Sequence, residues 1–376
     1  MPSFPSAWTL ALDAIHVLPT MTLHQTGDLW AGVAAFVLAV IGAGLALLYI
    51  RRAGMFDVPN QRSSHTTPTP RGGGIAVVGA VLLVGAGTLP AEKKLSSVFL
   101  ALIAAVIGLT VLGWLDDRGS IRVRIRLIVH ALCGAAVALL VNAIAPVPWP
   151  VNLAWLALWV FWSVASINIV NFMDGVDGMI AAQGVVYGVF LFALLPESAA
   201  AAHFGLILAG ACLGFLVWNW APAKMFMGDS GSGPLGLFFV IGGALALQGA
   251  RPALVFLPLF PLFLDALLTI LIRMRRGEKL TDAHRTHLYQ RLANGGWGHA
   301  PVTSVYALGA CVAAVVALLV KNASPLAMIT AIAAYVLLAL LGWKMLHDRF
   351  LESDLVGATD SSQPPLATNF KSPKPS

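Results

Sequence analysis

The chain is predicted to be an all-α polytopic membrane protein, and three observations carry that prediction. It is 58% hydrophobic and 11% charged, with a mean hydropathy of +0.83, where a soluble domain carries about 25% charged residues. Its apolar residues fall into eleven segments long enough, or nearly so, to cross a hydrocarbon layer. Its Lys and Arg residues fall almost wholly on one side of those segments.

Taken in order, residues 1–28 are weakly apolar but broken by Pro5, Asp13, His16 and Pro19. They show no basic stretch and no clean cleavage site, so no signal peptide is read there. A periplasmic or interfacial segment is expected instead, with Met21 as an alternative start. The apolar segments follow at about 29–50, 73–90, 95–115, 127–145, 151–171, 178–195, 201–220, 233–249, 252–272, 301–320 and 324–346. The sixth and eighth are short and contain glycine. The catalytic domain is thus expected over 29–346, and residues 347–376 as a cytoplasmic tail. From about 351 that tail is polar and rich in Pro and Ser, and disorder is expected.

With eleven spans, the odd-numbered loops and the C-terminus share one side. That side carries 19 Lys and Arg residues and the other side 4, which puts the C-terminus in the cytoplasm and the N-terminus outside. The net charge of +6 belongs to those loops and implies anionic lipid headgroups rather than nucleic acid as its partner. Cys133, Cys212 and Cys311 each stand alone in an apolar segment, giving neither a disulfide framework nor metal spacing.

The same loops hold the residues that suit chemistry. Between the first two spans lies Arg62-Ser-Ser-His65-Thr-Thr-Pro-Thr-Pro-Arg71-Gly72-Gly73-Gly74. Cations beside hydroxyls and glycine backbone suit a phosphate, and a plain flexible loop is the alternative. After the third span stand Asp116 and Asp117, adjacent carboxylates that repel unless a divalent cation or a proton relieves them. A solvated pair offset by Arg118, Arg122 and Arg124 is the other reading.

The fifth span ends in Asn168-x-x-Asn171-x-x-Asp174-Gly175-x-Asp177-Gly178. A three-residue spacing puts these amides and carboxyls on one slowly drifting helix face, a polar pocket wall. After the seventh span comes Asn219-Trp-Ala-Pro222-Ala-Lys224-Met-Phe-Met-Gly228-Asp229-Ser230-Gly231-Ser232. A carboxylate among small residues suits Mg²⁺ holding a diphosphate, against a Gly-Ser turn with an incidental Asp. The loop after the ninth span carries Arg273, Arg275, Arg276, Asp282, His284, Arg285 and His287, which suit anionic oxygens or anchor the loop at the membrane. Asp265 lies within the ninth span, as either a functional acid or a helix–helix hydrogen bond.

This order of motifs resembles the polyprenyl-phosphate N-acetylhexosamine-1-phosphate transferases. The resemblance runs from about Asp57 to Arg291, and eleven spans with an outside N-terminus are similar to the O-antigen-type initiators. It implies a UDP-N-acetylhexosamine donor, undecaprenyl phosphate as acceptor, UMP as leaving group, Mg²⁺ (or Mn²⁺) as cofactor and the bacterial inner membrane as location. Residue by residue, it implies Asp229 and Asp117 as metal ligands and Asp116, Asp117 and His287 as catalytic. Arg71, Asn168, Asn171, Asp174, Asp177, Asn219, Lys224 and Arg285 then bind substrate. The run Ala283-His284-Arg285-Thr-His287-Leu-Tyr289-Gln290 departs from many relatives, which carry further histidines. It resembles a subgroup using 6-deoxy-N-acetylhexosamines, and leaves the sugar open. The oligomeric state is also open, with a homodimer among the options.

Other classes fit less well. A transporter calls for acids along a midplane path, and only Asp265 lies deep. A lipid-binding scaffold has no use for two Asp-rich glycine motifs. The aspartate spacing of the CDP-alcohol transferases is absent.

Overall fold

The computed structural model describes residues 23–59, 67–87, 93–196, 199–279 and 285–359. The helices, in chain order, are α1 (Leu23–Ala53), α2 (Ile75–Ala86), α3 (Lys93–Asp116), α4 (Val123–Ile144), α5 (Val151–Met173), α6 (Met179–Leu194), α7 (Ala199–Asn219) and α8 (Asp229–Leu245). They continue as α9 (Pro252–Val255), α10 (Phe260–Arg275), α11 (Leu288–Leu292), α12 (His299–Val320) and α13 (Pro325–Thr359). Apolar segments in lipid must satisfy every backbone group internally, so they fold as helices.

Among the described residues, nine helical stretches are long and apolar enough to cross a membrane. Two shorter apolar helices, α2 and α6, stand where the second and sixth spans were expected. The chain is an all-α polytopic membrane protein. The segment placed at 233–249 starts four residues earlier than predicted, at Asp229, and runs on through a 3₁₀ turn to Gln248. The ninth segment is interrupted. A short α9 and a 3₁₀ turn over Leu257–Leu259 precede α10, since Pro258 and Pro261 lack the N–H a continuous helix would use. The boundaries placed at 28 and 346 both fall inside helices, α1 and α13. Residues 62–66 and 282–284 of the predicted motif loops lie outside the described residues, as do 1–22 and 360–376.

Helix packing rests on small residues, as expected where lipid offers no hydrophobic drive between helices. Ala35, Ala39 and Ala43 form a fully buried stripe along α1. That stripe faces α7, where a Cβ at Gly210 or Gly214 would overlap the carbonyls of Gly32 and Phe36. At the centre stands α8, buried at every residue from Ser230 to Leu245. It packs on α3, α4, α5 and α2. The Ser166 hydroxyl donates to the Gly236 carbonyl at 2.8 Å, locking α5 to α8.

One small element was not predicted. Phe56 and Asp57 pair antiparallel with Pro70 and Thr69 as a two-residue ribbon, β1 with β2. Arg71 then bridges to Phe226, and the N–H groups of Gly72, Gly73 and Gly74 donate to Phe226, Phe226 and Met227 at 3.2, 2.9 and 2.8 Å. A Cβ at Gly74 would overlap Gly231 and Met227. The triple glycine is therefore a docking strip that lets the first loop lie against the start of α8.

Candidate active site

The N-terminus of α8 is where the motifs meet. Gly228 precedes it at φ 71°, a backbone that favours glycine. The exposed N–H groups of the first turn are satisfied from another helix end. Asp117 Oδ1 accepts the Asp229 N–H at 2.9 Å and Oδ2 accepts the Ser230 N–H at 3.2 Å. An acid at a helix N-terminus is also favoured by the helix dipole. That is why the helix starts at Asp229 rather than four residues later.

Arg71 joins the acids. Its Nε lies 2.8 Å from Asp117 Oδ1, one Nη 2.6 Å from Asp229 Oδ1, and the other 3.6 Å from Asp57 Oδ2. Burial alone would lower the Arg71 pKa, but Asp229, Asp117 and Asp57 outweigh it and raise it further. From α5, Asn171 donates to Asp229 Oδ2 at 3.3 Å and accepts the Ser232 hydroxyl at 2.9 Å. Asp174 caps the C-terminus of α5. Burial holds its carboxyl well above the usual range, and Asp229, Asp117 and Asp177 push it further the same way, against Arg71.

The cluster therefore holds more carboxyls than its one arginine balances. Among the described residues no three acids, histidines or cysteines form a closed metal site. The donors present are hard oxygens from Asp229, Asp117 and Asn171. Such a set fits Mg²⁺, which keeps waters and substrate phosphates rather than an all-protein cage.

A family model described as "Glycosyl transferase family 4" matches residues 99–248. The chain is 30% identical over 316 residues to decaprenyl-phosphate N-acetylglucosaminephosphotransferase of Mycobacterium tuberculosis, covering 73% of this chain and 78% of that protein. It is 26% identical over 314 residues to the probable undecaprenyl-phosphate N-acetylglucosaminyl 1-phosphate transferase of Bacillus subtilis, covering 78% and 86%. A third relative is the phospho-N-acetylmuramoyl-pentapeptide-transferase of Geobacillus kaustophilus, 30% identical over 236 residues, or 56% and 71%. The chain belongs to the polyprenyl-phosphate N-acetylhexosamine-1-phosphate transferase family. It is a glycosyl-1-phosphate transferase of the membrane.

In the transferase the motif residues fall into two structural groups. Arg71, Asp117, Asn171 and Asp229 converge directly, with Asp174 beside them. The others brace them. Asp116 does both: Oδ1 accepts the Ile121 N–H and Oδ2 pairs with Arg126, both at 2.6 Å, which closes the α3–α4 turn, while its carboxyl also meets that of Asp229. Asn219 accepts the Gly178 N–H at 3.0 Å and donates to the Met225 carbonyl at 2.9 Å. It is 4% exposed and ties the second motif to the third. Asp177 accepts the Ala223 N–H at 3.0 Å and lies 3.0 Å from His299 Nδ1.

Two expected pocket residues sit elsewhere. Asn168 bonds to the Val164 carbonyl at 2.7 Å and meets His130 Nδ1 at 3.1 Å, between α4 and α5. A three-residue step turns a helix about 60° short of a full revolution, which carries Asn168 off the face of Asn171. Lys224 is exposed, with its ammonium 5.5 Å from the Trp218 ring centroid.

The last loop departs most from expectation. His287 is 2% exposed and stacks on Tyr289 at 5.7 Å between centroids. Burial lowers its pKa, as does Arg273, against Asp265. Arg285 beside it is half-buried. Arg273, read as a membrane anchor, is buried and pairs with Glu278 at 2.8 Å. Tyr289 was not foreseen. Its hydroxyl donates to the Phe172 carbonyl at 2.9 Å, and a Cβ at Gly175 would overlap that hydroxyl. Asp57 was not foreseen either, since only the ribbon brings it to Arg71.

Proposed function

We propose that this transferase moves an N-acetylhexosamine-1-phosphate from a UDP-sugar to undecaprenyl phosphate at the cytoplasmic face of the bacterial inner membrane. UMP leaves, and the lipid diphosphate sugar starts a cell-surface polysaccharide such as O-antigen. The observation that carries this is the convergence of Arg71, Asp117, Asn171 and Asp229 at the buried N-terminus of α8. Two substrate anions must meet, and the surplus of carboxyls in the cluster suits a divalent cation that, with Arg71, would lower their repulsion. The names of the relatives support a polyprenyl phosphate and a nucleotide sugar as the kinds of substrate.

In the proposed reaction an acceptor phosphate oxygen attacks the sugar-bearing phosphorus. A P–O bond forms there while the bond from that phosphorus to the UMP oxygen breaks, and UMP takes the electron pair. The acceptor oxygen is already anionic, so a base is called on only for a remaining proton. Mg²⁺, or Mn²⁺ in its place, would be held by Asp229 and Asp117 and would take up charge developing on phosphate oxygens. Arg71 orients both acids. Asp174 and Asn171 line the same wall and would face the nucleotide side of the donor, with Arg285 nearer the sugar.

The test is direct. Purified protein in detergent receives Mg²⁺, undecaprenyl phosphate and, one at a time, UDP-N-acetylhexosamines including 6-deoxy members. UMP release and product mass are measured. Lipid-dependent UMP with one donor is expected. Folded protein that releases no UMP with any donor would overturn the reading.

A further inference from the structure

Asp265 lies in α10 and is completely buried. A carboxyl at that depth is costly unless its oxygens are fully satisfied. Among the described residues it accepts five hydrogen bonds. Oδ1 takes the Leu288 N–H at 2.9 Å, the Trp343 indole at 3.2 Å and the Thr269 hydroxyl at 3.3 Å. Oδ2 takes the Tyr306 hydroxyl at 2.7 Å and the Tyr289 N–H at 3.1 Å. The two backbone donors are the first of α11, the short helix that His287 leads into. Tyr289, fixed there by its own N–H, then reaches Phe172 with its hydroxyl and covers Gly175. Phe172 directly follows Asn171, and Gly175 directly follows Asp174.

We propose that Asp265 is a positioning residue that couples the His287 loop to the Asn171–Asp177 motif, acting through the Leu288 and Tyr289 backbone and the Tyr289 hydroxyl. Only an acceptor with two oxygens can hold two successive N–H groups and still anchor α12 and α13. An apolar residue would fill the space without fixing the direction of Tyr289. The consequence for turnover rests on the function proposed above, whereas the mechanical coupling does not.

Two readouts separate these levels. The first is amide hydrogen exchange in detergent, which needs no turnover. Asp265→Asn puts an amide N–H toward backbone donors and is expected to speed exchange in both 287–292 and 172–178. Tyr289→Phe keeps the backbone bonds and is expected to speed exchange in 172–178 alone. Tyr335→Phe removes another buried hydroxyl bond, to the Gly309 carbonyl at 3.2 Å, and is expected to leave both segments unchanged. The second readout is kinetic. Tyr289→Phe should raise the donor KM about tenfold, the loss of one hydrogen bond, with kcat falling less. Adding Asp265→Asn to Tyr289→Phe should not multiply the KM effect. Unchanged exchange in 172–178 in both variants overturns the coupling whether or not the enzyme turns over. Changed exchange, with a wild-type enzyme inactive on every donor, supports the coupling and overturns only the assigned reaction.

Discussion

Asp117 accepts the backbone N–H of Asp229 at 2.9 Å, so one acid of the candidate site caps the helix that the other begins. The two acids therefore cannot be changed independently. Losing Asp117 exposes two N–H groups at the start of a buried helix, while losing Asp229 leaves that cap in place.

Asp229→Asn should abolish turnover, by about a hundredfold or more if it holds the metal, and leave the melting temperature close to wild type. Turnover is followed against Mg²⁺ concentration. Near-normal rates at saturating Mg²⁺ would remove Asp229 from the metal site.

Asp116→Asn and Asp117→Asn should part company. Asp116 braces the α3–α4 turn through Ile121 and Arg126 and also meets Asp229, so its variant should lose stability, about 1–3 kcal/mol, and keep more activity than Asp117→Asn. Asp117→Asn should lose both. Equal loss of activity, with equal melting temperatures, would contradict this division.

Asp174 gives a pH signature. Burial raises its folded-state pKa, so the folded state binds a proton more readily than the unfolded chain. The associated stability is complete below the unfolded value of about 3.9 and is lost as pH rises through the folded-state value. Asp174→Asn removes that loss. In metal-free buffer the variant should melt above wild type at pH 8, with the gap closing toward pH 4. A variant that melts lower at pH 8 would contradict the assignment.

Gly175→Ala should lower activity about tenfold and destabilise by about 1–3 kcal/mol, the usual cost of overpacking. The added methyl overlaps the Tyr289 hydroxyl. Tyr289→Phe in the same chain should recover part of the melting temperature. No recovery would show that the glycine is required for another reason.

The apolar segments, their placement and the membrane class were legible in the sequence, because a hydrocarbon layer imposes a length and a composition that any reader can measure. So were the acids and amides of the motifs, because polar groups at span ends stand out against so apolar a chain. The division of labour among them was not legible. Asp116 and Asp117 are chemically identical neighbours, and only the turn to α4 gives Asp116 the Ile121 N–H and Arg126 besides Asp229, while Asp117 caps the backbone of α8. Asn168 and Asn171 share a motif, and only the helix rotation gives one to His130. Asp57 reaches Arg71 through a two-residue ribbon with no periodic signal. Asp265, Leu288, Tyr289, Tyr306 and Trp343 are scattered along the chain. They become one cluster because a buried carboxyl must gather every donor within reach, and which donors come within reach is decided by packing.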